Sequence, residues 1–172
     1  MKIYIACALT HVPRSLFDEH VAFIHQLAKA LREDDPNADI KYALVNSDPQ
    51  LSTKPAAERA RLCYVWDRAM VEEADLVIAE ASFPSTGLGI EMQLAESNGT
   101  PIILCFRDFG ANKVRSQAYE NPDHSRHELQ VGEGFVTLMA LGIPTIFRTI
   151  QYCGPQDGIA LVLDAVNSLR QA

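Results

Sequence analysis

The chain has 172 residues, a length that suits one compact domain burying roughly 70% of its unfolded surface without help from disulfides. Apolar residues make up 48% and charged residues 22%, which excludes intrinsic disorder, collagen-like structure and coiled coil as the main architecture. The formal charge of −7 argues against a duplex nucleic-acid binder, so an anionic ligand would have to be held by a local pocket.

No run approaches the ~18 apolar residues of a membrane span, and the apolar stretch Ile3 to Leu9 is too short for a signal-peptide core. A soluble, cytoplasmic protein is expected, with residues 1–172 forming a single domain. Cys7, Cys63, Cys105 and Cys153 are widely separated and include no CxxC pair, which points to reduced thiols rather than disulfides or zinc ligands.

In chain order, Ile3 to Leu9 reads as a buried first strand, followed by the polar loop Thr10 to Arg14. Leu16, His20, Phe23, Ile24, Leu27 and Leu31 recur at helical spacing over Ser15 to Leu31, and Asp34-Asp35-Pro36-Asn37 stops that helix. Ile40 to Val45 reads as a second strand and Asn46 to Lys54 as a polar loop. Pro55 opens a helix reaching Ala74, with Leu62, Val65, Trp66, Ala69 and Met70 as its apolar positions.

Leu76 to Ala79 is a third strand, and a helix from Pro84-Ser85 runs to Asn98-Gly99, where the glycine is a stop signal. Pro101 to Phe106 makes a fourth strand. Arg107 to Glu133 reads as a polar loop with room for one short helix, Phe135 to Leu141 as a helical turn, Pro144 to Phe147 as a fifth strand and Gln156 to Leu169 as a closing helix. Alternating strands and helices of these lengths imply βαβ units, hence an α/β, doubly wound parallel five-stranded sheet in a three-layer α/β/α sandwich. In such a sheet a ligand is expected outside the carboxyl ends of the strands, at the switch point.

The stretch Ala79-Glu80-Ala81-Ser82-Phe83-Pro84-Ser85-Thr86-Gly87-Leu88-Gly89-Ile90-Glu91 carries most of the chemical information. Ser85 is placed as an N-cap, and the free amides of a helix N-terminus attract a phosphate or carboxylate. Gly87 and Gly89 remove side chains where a ligand would approach the backbone, although a capped helix start with loop glycines would read the same way. Glu91 has Gly87, Leu88, Leu94 and Ala95 as helix neighbours, so its carboxylate lies on an apolar stripe. It either faces a cavity, belongs to an interface ion pair, or bears a desolvation penalty on the order of 2–7 kcal/mol or more.

Asp67 repeats the anomaly among Cys63, Tyr64, Met70 and Val71, with a buried cap or salt bridge as the structural alternative. Two carboxylates in unlike environments are how proteins cleave glycosidic bonds, one attacking the anomeric centre and one managing protons. Asp75 reads as a strand-entry turn residue, and Glu80 as a strand-end acceptor able to touch ligand hydroxyls.

The spacing of Asp67, Asp75, Val77-Ile78-Ala79-Glu80 and Pro84-Ser85-x-Gly87-x-Gly89-x-Glu91 resembles the nucleoside 2-deoxyribosyltransferase family. The likeness is to its branch of 2'-deoxynucleoside 5'-monophosphate N-hydrolases, and it spans about Asp67 to Phe106 plus the first strand. The resemblance implies a flavodoxin-like fold, a homodimer, no cofactor, no metal, and cleavage of an N-glycosidic bond through a covalent glycosyl-enzyme.

By position, Glu91 resembles the nucleophile, Asp67 the carboxylate that assists the leaving base, and Tyr4 the tyrosine that positions the nucleophile. Ser85 stands where the transferases carry Asp and the monophosphate hydrolases Ser; an Asp would repel a 5'-phosphate that a hydroxyl can bind. Ser116 resembles a serine that reaches the phosphate from the partner subunit. The first loop departs from the branch: Cys7-Ala8-Leu9-Thr10-His11-Val12-Pro13-Arg14-Ser15 replaces a glycine-rich phosphate loop. Arg14 or Ser15 could substitute there, and His11 could serve as a base or a ribose contact.

The expected activity is hydrolysis of nucleoside 5'-monophosphates to free base and sugar phosphate. Base exchange between deoxynucleosides and a non-catalytic nucleotide-sensing module are the alternatives. The expected partner is a small nucleoside or nucleotide, with no duplex nucleic acid and no membrane.

Overall fold

The computed structural model describes residues 1–171. Strand β1 (Lys2–Cys7) is followed by α1 (Arg14–Asp34), β2 (Asp39–Tyr42), two single-turn helices α2 (Ala43–Asn46) and α3 (Asp48–Leu51), then α4 (Ala56–Glu72). Next come β3 (Leu76–Glu80), α5 (Thr86–Ser97), β4 (Ile102–Arg107), a hairpin of β5 (Ala118–Glu120) and β6 (Arg126–Glu128), α6 (Leu138–Leu141), β7 (Ile146–Tyr152) and α7 (Pro155–Arg170). Five strands form a parallel sheet in the order β2-β1-β3-β4-β7. This is the flavodoxin-like order with its switch point between β1 and β3, as the alternation of elements predicts.

Strand parity divides the core into two layers. Ile3 and Ile5 of β1 and Leu76 and Ile78 of β3 face one side, where they meet Phe23, Ile24, Leu27 and Leu31 of α1 and Val162 and Val166 of α7. Tyr4 and Ala6, with Val77 and Ala79, face the other side and pack against Met70 and Val71 of α4 and Leu88 and Met92 of α5. A third, smaller cluster of Ala8, Val12 and Phe83, flanked by Leu16, Phe17 and Phe109, wedges together the loops at the carboxyl ends of β1, β3 and β4. Asp75 is the strand-entry residue expected of it, its Oδ2 accepting the Lys2 amide at 2.7 Å. Gly99 adopts φ +69° just past α5, the left-handed stop that glycine tolerates.

Five sequence expectations are corrected. The second strand ends at Tyr42 rather than Val45, because Asn46 Oδ1 accepts the Tyr42 amide at 3.0 Å and Ala43–Asn46 coil into a helical turn. The stretch expected as a loop from Asn46 holds the turn α3. The fifth strand runs to Tyr152; as an edge strand it alternates exposed Phe147, Thr149 and Gln151 with buried Ile150 and Tyr152, so polar residues do not end it. Residues 118–128, read as loop, pair as an exposed hairpin turned by His124 at φ 66°. On α4, the apolar positions Val65 and Ala69 face out with Tyr64, and only Met70 and Val71 are buried.

Gly158 of α7 shows how closely the first layer is packed. A Cβ there would sit 2.8 Å from Tyr152 Cδ2 and 3.1 Å from Phe23 Cε2, two rings stacked at 4.9 Å. Gly158→Ala is expected to lower the unfolding free energy by about 1–3 kcal/mol despite its better helix propensity, measured by denaturant titration.

Candidate active site

β1 delivers Tyr4 to the face covered by α4 and α5. The ring is 1% exposed, and its hydroxyl donates to Glu91 Oε1 at 2.6 Å. Glu91 is half-buried, one turn into α5, on the stripe that also carries buried Leu88 and Ala95. Burial pushes its carboxyl up to about 7, the Tyr4 bond opposes that rise, and the nearby Asp67 charge adds to it. Tyr4 in turn is held well above the usual phenol range, first by burial and then by the Glu91 and Asp67 charges, so it stays a donor at physiological pH.

Asp67 stands on α4, and its charge reaches Glu91, Tyr4 and Cys7. The Cys63 thiol donates to Asp67 Oδ2 at 3.2 Å, while the buried Oδ1 has no hydrogen-bond partner among the described residues. Cys63 is pushed up to about 11 by burial and by that bond, so it remains a protonated donor. Sequence reasoning counted Cys63 only as an apolar neighbour of Asp67 and missed it as a donor. Its position four residues before Asp67 on one helix face was the available signal.

The structure therefore brings three of the expected residues together: Tyr4, Asp67 and Glu91. Ser85 is the N-cap of α5, its Oγ accepting the Leu88 amide at 3.2 Å. With the oxygen engaged as an acceptor, its own proton stays free to donate. A Cβ on Gly89 would meet nothing within 4 Å, and one on Gly87 only Ser85 Oγ at 3.6 Å, so neither glycine is demanded by packing within the chain. His11 and Arg14 are exposed in the loop after β1 and at the first residue of α1, at the same end of the sheet. Ser116 is exposed and turned to its own backbone, donating to the Leu129 carbonyl at 2.8 Å.

Glu80 is corrected. Parity places it on the opposite face from Tyr4, with Leu76 and Ile78, and it is wholly enclosed. Its oxygens accept from Ser82 and from Tyr152, and His20 lies beside them. A carboxylate so enclosed does not reach a ligand hydroxyl. An open cavity of about 320 Å³ beside α4, lined by Lys41, Asn46, Gln50, Trp66, Met70 and Glu73 among others, includes none of Tyr4, Asp67 and Glu91. The Tyr4–Asp67–Glu91 cluster and this hollow are different places.

The fold and the cluster define a flavodoxin-like α/β protein with a Tyr–Glu–Asp constellation at its switch point. No family model matches the chain. It is 34% identical over 59 residues to a protein of Syntrophotalea carbinolica carrying the provisional name 2'-deoxynucleoside 5'-phosphate N-hydrolase 1, a match covering 34% of this chain. The chain spans 42% of the length of that relative.

Among solved structures, the CMP N-glycosidase of Clostridium botulinum superposes with a TM-score of 0.55 at 16% identity, over 94% of this chain and 98% of the other. A conserved protein of Enterococcus faecalis V583 gives the same score and identity over 95% and 98%. These two likenesses show the fold. The curated match, confined to 59 residues, is to a protein named for the N-hydrolase activity that the sequence resemblance points to.

Because Glu91 binds its proton more tightly folded than unfolded, stability is lost as pH rises from about 4.5 to about 7 and is not regained above. Glu91→Gln, which does not titrate, is therefore expected to gain on the wild type across that window. The difference levels off above pH 7 at about 1–3 kcal/mol, measured by denaturant melts at stepped pH.

Proposed function

We propose that this protein is an enzyme that hydrolyses the N-glycosidic bond of nucleoside 5'-monophosphates, releasing free base and sugar phosphate. The observation that carries the reading is the desolvated Glu91 carboxylate, oriented by the Tyr4 hydroxyl and within electrostatic reach of Asp67. A Glu91 oxygen attacks the anomeric carbon as the bond from that carbon to the base nitrogen breaks, giving a glycosyl ester. The departing base takes the electron pair, and Asp67, through its unpartnered Oδ1, carries the proton that neutralises it. Water then adds to the anomeric carbon, its proton leaves to Asp67, and Glu91 is freed as carboxylate. Tyr4 stays protonated throughout and fixes which Glu91 oxygen is committed to the hydrogen bond.

The 5'-phosphate is received by the N-terminus of α5 through the free Ser85 proton and the backbone opened by Gly87 and Gly89, with Arg14 or His11 reaching from the neighbouring loop. Both the name of the Syntrophotalea relative and that of the Clostridium structure support a nucleotide N-glycosidase. A homodimer belongs to the same reading. Tyr64 and Val65 on α4 and Ile90 on α5 are 47%, 44% and 46% exposed, an unpartnered apolar surface beside the cleft. In a dimer Ser116 would meet the partner's substrate.

Base exchange between deoxynucleosides shares every step up to the glycosyl ester. Ser85 in place of an acidic residue favours the hydrolase, since it leaves room for a phosphate.

Chromatography of base released from ribo- and deoxyribonucleoside 5'-monophosphates and from their free nucleosides tests the reading. The wild type is expected to prefer a monophosphate. Glu91→Gln is expected to lose at least about a thousandfold in kcat, and Asp67→Asn about a hundredfold or more. Retained turnover in Glu91→Gln removes the nucleophile assignment. The acid limb of kcat/KM is expected near pH 7, rate rising as Glu91 ionises, and Tyr4→Phe is expected to move that limb to higher pH because the bond that opposes the rise is lost.

A further inference from the structure

Glu80 takes no part in the bond-breaking steps, yet it sits at the centre of a buried cluster that reaches every loop at the carboxyl end of the central strands. Ser82 donates its hydroxyl to Glu80 Oε1 and its amide to Oε2, the latter at 3.4 Å. The same Ser82 Oγ accepts the Arg107 amide at 2.8 Å, and the Ser82 carbonyl accepts from Asn112 Nδ2 at 2.7 Å. Asn112 also closes the loop after β4, donating to the Arg107 carbonyl and accepting the Phe109 amide, each at 2.7 Å.

On the other flank, His20 of α1 faces Glu80 Oε2 through Nδ1 at 3.5 Å and bonds the Ala8 carbonyl through Nε2 at 2.8 Å. A carbonyl only accepts, so Nε2 carries a proton. Tyr152, the last residue of β7, donates to Oε1 at 2.9 Å. One enclosed side chain thus ties the exits of β1, β3, β4 and β7. Above it, the Phe83 and Phe109 rings meet 5.1 Å apart, tilted by 32°, and His20 meets Phe83 edge-on at 5.4 Å, so the loops are clamped at two levels.

Two of these loops carry the residues assigned to the phosphate: the β1 exit leads to His11 and Arg14, and Ser82 is three residues from Ser85. Glu91, Asp67 and Tyr4 lie instead on a strand and two long helices across the sheet. We propose, resting on the reading above, that Glu80 is a positioning residue for the phosphate end of the substrate. Acting through Ser82 and His20, it sets the distance between the two phosphate-facing loops and so governs affinity for the phosphorylated ligand rather than the rate of bond cleavage.

The test compares wild type, Ser82→Ala and Glu80→Gln on the 2'-deoxynucleoside 5'-monophosphates of the four common bases and on their free nucleosides, by kcat, KM and calorimetric Kd. KM and Kd for the monophosphate are expected to rise about tenfold in both variants, with kcat within about threefold and nucleoside affinity within about twofold. Equal weakening of both ligands, a fall in kcat at unchanged KM, or a lowered Tm with unchanged affinities overturns the proposal.

If Glu80→Gln does not fold, Ser82→Ala, which removes one hydroxyl, decides the matter. A Ser82→Ala chain that fails to fold also overturns the proposal, since the cluster would then hold the fold and not the loops. A wild type that releases no base sinks the glycosidase reading, while the Kd comparison still decides this one. Equal wild-type Kd for nucleotide and nucleoside counts against it.

Discussion

The hydrogen bond from Tyr4 to Glu91 joins the sheet to α5, and both partners depend on it. A tyrosine 1% exposed in the third position of β1 needs an acceptor for its hydroxyl, and the carboxylate one turn into α5 supplies it. The carboxylate gains less than it loses: burial outweighs the bond, so its proton is held up to about 7. An acid poised there is half ionised near neutral pH, and poorly hydrated when it is. Those are the conditions under which a carboxylate is a competent nucleophile toward a sugar.

Strand parity separates the two tasks of the molecule. Odd positions of β1 and even positions of β3 face α1 and α7; their neighbours face α4 and α5. Tyr4, Asp67 and Glu91 occupy the second face, which α4 and α5 cover. The loop-holding cluster of Glu80, His20 and Tyr152 occupies the first, so it can organise the rim of the site without standing in it.

This division explains what could and could not be read from the chain. Glu91 and Asp67 were legible because each breaks an apolar helix periodicity, a signal carried by neighbours within four residues. The sheet order followed from alternating elements and the rule that crossovers are right-handed. The role of Glu80 was not legible in the same way: its partners His20 and Tyr152 lie 60 and 72 positions away, and only the folded register brings them together. The outward turn of Val65 and Tyr64 was hidden because an apolar residue reads as core whether it is covered by its own chain or by something else. The strand limits failed where a local contact, Asn46 on the Tyr42 amide, overrode β-propensity.

The presence of a carboxylate at position 80, rather than a neutral residue, follows from counting acceptors. Two protons arrive at Oε1, from the Ser82 and Tyr152 hydroxyls, and one at Oε2 from the Ser82 amide. A glutamine has a single acceptor oxygen, and the nitrogen replacing the other would face the Ser82 amide donor to donor. Glutamate meets all three donors, and the fourth neighbour, His20, opposes its desolvation without cancelling it. With His20 Nε2 committed to Ala8, Nδ1 is complementary to Glu80 Oε2 only when one proton lies between imidazole and carboxyl, on either side. The pair is then neutral as a whole, which is the form in which an acid and a base can be enclosed together without leaving a bare charge.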